Sequence, residues 1–67
     1  MKKILFAENL KNQRKSKRWT QKEPANKVGV DQRTVNAWEN GVCEPCYAIL
    51  SQLCELFNET FDSMLSD

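Results

Sequence analysis

Sixty-seven residues make one domain, and a chain this short buries only about 60% of the surface its unfolded form exposes, so no deep substrate pocket is expected beside its core. Hydrophobic residues make up 40% and charged residues 28% of the sequence, the balance of a globular chain, and no run approaches the ~18 consecutive apolar residues that a membrane span needs. The net charge of +1 conceals a split: all ten basic residues lie between Lys2 and Arg33, whereas the last twenty-seven residues hold five acids and no base, a polarity that suits an anionic partner met by one face.

Met1-Lys2-Lys3-Ile4-Leu5-Phe6-Ala7 opens like a secretory leader. Its apolar run stops after four residues, at Glu8, short of the ~7 that such a leader requires. The chain is therefore expected to be unprocessed and cytoplasmic. Leu5, Phe6, Leu10 and the stem of Arg14 recur at helical steps and predict a first helix over about 4–17. Arg14, Lys15, Lys17 and Arg18 enrich its last turn in positive charge, which complements the helix dipole. Thr20-Gln21-Lys22-Glu23 has the form of a capping box, so a second helix is expected to open at Gln21 with Ala25 and Val28 facing inward. Pro24 falls early in that helix, where its ring would crowd the Thr20 carbonyl and tighten the first turn at a cost of about 1–3 kcal/mol.

Gly29 can end the second helix in a left-handed conformation. Asp31 is a good N-cap for a third helix, about 32–39, with Val35 and Trp38 inward, and Asn40-Gly41 punctuates it. Pro45 precedes a fourth helix, about 46–57, whose Ile49, Leu50, Leu53, Cys54 and Phe57 repeat at steps of three and four. Thr60 can cap a short fifth helix carrying Phe61, Met64 and Leu65. The fold expected over 1–67 is one all-α domain of five helices.

The second and third helices are joined by only Gly29-Val30-Asp31, a turn so tight that they must cross steeply. Ala25 is small where they meet, Gly29 reverses the backbone, and Val35 and Trp38 fill the wedge between them. Together with "VGVDQRTVNAWENG", these residues resemble the lambda-repressor-like, Xre-type helix-turn-helix family. The likeness falls on Arg14, Thr20, Gln21, Ala25, Gly29, Val30, Trp38, Glu39, Asn40, Gly41 and Pro45, and covers about residues 6–65. It implies a sequence-specific regulator of transcription that binds a double-stranded DNA operator, usually as a homodimer, and of bacterial or phage origin.

In such a domain the third helix lies in the major groove with its N-terminal residues towards the bases. The resemblance puts Gln32, Arg33, Asn36 and Ala37 at base edges, with Thr34 near the rim. Gln32 and Asn36 suit adenine, Arg33 suits guanine or phosphate, and Ala37 suits a thymine methyl. Thr20, Gln21, Asn40 and Lys27 are the expected phosphate contacts, with Lys15, Lys17 and Arg18 supplying a field. Arg14 and Glu39 resemble the family's structural ion pair. Phe57, Phe61, Met64 and Leu65 offer an apolar edge for a dimer or, equally, for the monomer's own core. Trp19 stands where the family has a smaller aliphatic residue, and Pro24 where it has an apolar one such as Leu.

Cys43, Cys46 and Cys54 are an odd number of thiols, which fits a reducing compartment rather than a disulfide scaffold. A structural zinc site wants four ligands, and the chain has no His. Neither a metal nor another cofactor is expected. Cys43 and Cys46 can be read as a redox pair, or as a loop residue and a substitute cap, with Cys54 in the core. An antitoxin-like module that binds another protein is the alternative function, and a regulatory protein partner is compatible with either. No nucleophile–base pair, phosphate loop or paired carboxylates point to an enzyme.

Overall fold

The computed structural model describes residues 5–65, and among them the only regular elements are five helices. They are α1 (Phe6–Ser16), α2 (Lys22–Val28), α3 (Gln32–Glu39), α4 (Tyr47–Phe57) and α5 (Phe61–Leu65). Ile4, the expected first residue of α1, lies outside the described residues. One core runs through all five: Phe6, Leu10, Ala25, Val28, Val35, Trp38, Leu50, Leu53, Cys54, Phe57 and Met64 are buried together. α3 packs on α1 and α2, while α5 closes the far side against α1 and α4. The Leu5 N–H donates to the Leu65 carbonyl at 3.1 Å and Asn9 Nδ2 to that of Met64 at 2.8 Å, tying the two ends of the fold together.

The four longer helices stop in the same way. Arg18, Gly29, Gly41 and Asn58 have φ of 60°, 76°, 73° and 56°. After each of them the next residue's N–H donates back to a carbonyl five residues earlier. These bonds run from Trp19 to Arg14 (3.1 Å), Val30 to Ala25 (2.9 Å), Val42 to Ala37 (2.9 Å) and Glu59 to Cys54 (2.8 Å). This closure satisfies carbonyls that a helix end would otherwise leave unpaired.

The start of α2 corrects the capping-box expectation. Gln21, not Thr20, occupies the N-cap position, and no side-chain cap bond forms there. The Thr20 carbonyl accepts from the Glu23 N–H at 3.2 Å, a three-residue closure. Pro24 is the reason. It has no N–H to offer Thr20, so the helix begins one residue later, at Lys22. Pro24 then stands third in the helix, where an N–H has no intrahelical acceptor to lose. The expected cost of interrupting the ladder is thereby relieved. Pro24 is also among the most completely buried residues, so its ring takes the apolar residue's place in the core.

At α3 the local signals are obeyed. Asp31 is the N-cap, and its Oδ1 accepts from the Arg33 N–H at 2.8 Å. Asp31→Ala is expected to destabilise the domain by about 1 kcal/mol, and Asp31→Asn by much less, as read from urea unfolding midpoints. Equal losses in the two variants would show that the negative charge, not the cap bond, is what matters. Cys46 sits at the N-cap of α4 in an extended conformation but makes no cap bond. Thr60 caps α5: its Oγ1 accepts from the Ser63 N–H at 3.1 Å and Ser63 Oγ accepts from the Thr60 N–H at 3.0 Å.

Candidate nucleic-acid interface

α3 presents two unlike sides. Val35, Trp38 and Glu39 are buried, whereas Gln32, Arg33 and Asn36 are exposed. Thr34 and Ala37 are half-buried at the flanks of the exposed side. Residues 32 and 36 are one helical turn apart and so share a face. An open cleft between α2 and α3 is lined by Lys22, Ala25, Asn26, Val30, Asp31, Gln32 and Arg33. It puts a cation and an amide of α2 beside the first residues of α3.

Behind α3, one ion pair ties its last residue to α1. Arg14 Nε donates to Glu39 Oε2 at 2.7 Å and Nη2 to Oε1 at 3.0 Å, a bidentate fork. A third guanidinium nitrogen, Nη1, donates to the Trp19 carbonyl at 2.7 Å. The side chains are 11% and 1% exposed. The hydrogen bonds to Glu39 raise the Arg14 pKa above its ordinary value, against burial, which lowers it. Among the described residues no buried side-chain polar atom lacks a partner.

Gln21 connects this pair to the exposed face. Its Nε2 donates to Glu39 Oε1 and to Asn36 Oδ1, both at 3.2 Å. Asn40, the C-cap of α3, donates from Nδ2 to the same Asn36 oxygen at 3.1 Å. Gln21, Asn36 and Asn40 are thus gathered at one edge of α3, and exposed Thr20 immediately precedes Gln21 in the chain.

Lys27 is not part of that group. Its Nζ lies 5.6 Å from the centroid of the Trp19 ring, and Lys17 Nζ lies 5.4 Å from it. Six residues beyond Gln21, Lys27 is on another flank of α2. Trp19 itself packs against the core, its ring 5.7 Å from that of Phe57.

Lys22 and Asn26 line the cleft beside Gln32 and Arg33 and were not among the contacts expected from the sequence. Only the docking of α2 against α3 brings them beside Gln32 and Arg33. The apolar edge divides between the two uses open to it. Phe57 and Met64 are core residues. Phe61 is 40% exposed and meets, edge-on at 5.4 Å, a Tyr47 that is 78% exposed. Cys43 and Cys46 are exposed and Cys54 is buried. Burial, and then the Glu59 carboxylate, push the Cys54 thiol pKa up. Among the described residues no three potential metal ligands come together.

Residues 10–64 match the helix-turn-helix family. The chain belongs to that family. Its helix-turn-helix is the α2–Gly29-Val30-Asp31–α3 unit described above. Over 61 residues the chain is 36% identical to YqaE of Bacillus subtilis, an uncharacterized HTH-type transcriptional regulator, spanning 91% of this chain and 53% of that protein. It also superimposes on the crystal structure of a transcriptional regulator from Listeria innocua with a TM-score of 0.90 and 27% identity, covering 94% of this chain and 59% of that one. The chain thus spans little more than half the length of these relatives.

Proposed function

We propose that this helix-turn-helix domain is a transcriptional regulator that binds double-stranded DNA in the cytoplasm, with α3 in the major groove. The observation that carries the reading is the exposed side of α3. Gln32, Arg33 and Asn36 stand there together, backed by an ion pair that ties the helix to α1. Each has a side chain that can hydrogen-bond base edges. Thr34 and Ala37 would border the contact. Thr20, Gln21, Asn40 and Lys22 would meet phosphates on either side, where the contacts fix register rather than sequence. Lys27, on its own flank of α2, would add to the field more than to the contact. Two copies bound to half-sites about one helical turn apart would complete the recognition of an operator.

The test is a titration of random-sequence duplex DNA at several salt concentrations, using wild type and a Gln32→Ala/Arg33→Ala variant, followed by selection of preferred sequences. Wild type is expected to bind with a logarithmic salt slope of about −0.9 per phosphate contact. The double variant is expected to keep most of that weak binding and to lose the selected sequence, since each good bidentate base contact is worth about 1–3 kcal/mol of discrimination. No salt-dependent binding by wild type at ~50 mM salt, where phosphate contacts count most, would overturn the proposal and leave binding of a protein partner as the better reading.

A further inference from the structure

We propose that Asn36 reads guanine rather than adenine, and that Gln21 is the positioning residue that sets this choice. The inference rests on the DNA-binding reading and makes it specific at one base pair. It follows from the order of the hydrogen bonds behind α3. The Glu39 carboxylate accepts the Arg14 fork, and a carboxylate can only accept. The Gln21 group facing Glu39 Oε1 must therefore be its NH2, because its oxygen there would meet another oxygen. The second hydrogen of that NH2 points to Asn36 and requires an acceptor, which is Oδ1. Asn40 Nδ2 donates to the same atom.

Both lone pairs of Asn36 Oδ1 are then used, and what the exposed side chain presents outward is Nδ2 with its two hydrogens. A bidentate pair with adenine needs both ends of the amide: the oxygen to accept from N6 and the nitrogen to donate to N7. Asn36 can supply only the second. Guanine offers two acceptors in the major groove, O6 and N7, and suits a side chain that only donates. The buried charge of Glu39 therefore determines, through Gln21, which base the surface amide accepts.

The experiment is sequence selection from a random duplex library with the full chain, its Asn36→Ala variant, and Gln21→Ala and Gln21→Met, each checked for helical content by circular dichroism. Asn36→Ala is expected to lose preference at a single base pair per half-site, where wild type selects guanine. Both Gln21 variants remove the one donor that Glu39 orients, which lets the Asn36 and Asn40 amides turn over together, so at that pair the guanine-to-adenine preference is expected to fall about tenfold while preferences elsewhere persist. A purely structural role for Gln21 would weaken all positions alike and would overturn the inference. Wild type alone supplies a second measurement: 7-deazaguanine at that pair should weaken its binding several-fold and leave Asn36→Ala unaffected. Selection of adenine at that pair, or no effect of Asn36→Ala at any pair, overturns the inference while DNA binding stands. Enrichment of no sequence at all removes both.

Discussion

Arg14→Ala is expected to destabilise the domain by about 3–5 kcal/mol, the largest effect of any single substitution outside the apolar core. The loss comes mainly from what remains. Glu39, with its side chain 1% exposed, would keep a buried charge stripped of its two shortest hydrogen bonds. Gln21 Nε2 at 3.2 Å is too weak a substitute. At roughly 0.05–0.15 kcal/mol per residue, a chain of this length has only about 3–10 kcal/mol in total. The variant should therefore be largely unfolded at 37 °C, as read by circular dichroism and urea titration. The double variant Arg14→Met/Glu39→Leu is expected to recover most of the loss, because removing both charges removes the desolvation penalty with the attraction. A single variant within about 1 kcal/mol of wild type would place the pair with the weak surface bridges. The raised Arg14 pKa has a definite sign: its contribution is fully present below the ordinary arginine value and disappears only above it. On the arginine side, then, the pair holds throughout the neutral range.

Trp38→Ala comes next, with about 3–5 kcal/mol expected from lost burial and the cavity left behind. Trp38 is 3% exposed, on the buried side of the same helix that carries the candidate base contacts. For a domain this small each kcal/mol moves the melting temperature by about 4–8 °C, so the midpoint should fall by at least ~12 °C. A fall below ~5 °C would mean that neighbouring side chains collapse into the space. The two substitutions act on the same buried side of α3, one on the charge that ties its end to α1 and one on the wedge that seats it.

The parts of the fold that were legible in the sequence are those decided locally. Asp31 and Gly29 bound the turn before α3, and both work through atoms within a few residues of themselves. The third helix accordingly falls at Gln32–Glu39, where its cap and punctuation put it. The start of α2 was less legible because two local signals competed there. Thr20 and Glu23 spelled a capping box, and Pro24, by withholding one N–H, moved the helix start beyond it. The apolar stripe of α4 and α5 marked which residues are hydrophobic but not which are covered. Phe57 and Met64 went inward, and Tyr47 was left beside Phe61 outside. The amide chain from Glu39 to Asn36 was not legible at all. It joins residues 15 and 18 positions apart, and its meaning lies in which end of each amide faces which.

The repeated left-handed stop at Arg18, Gly29, Gly41 and Asn58 bears on how quickly the chain finds this arrangement. Each reversal is closed by a bond between residues five apart, so the direction of every connection between α1 and α5 is encoded without help from distant parts of the chain. Loops of that size close in about 10–100 ns, and helices of this length form within about a microsecond. The slow part of folding is then reduced to docking preformed corners, and the long-range work falls on a few groups such as Arg14 with Glu39 and Leu5 with Leu65. A topology dominated by such local closures belongs with the fast-folding helical domains. A chain with a marginal core can return to its folded form before exposed apolar surface has time to find a neighbour.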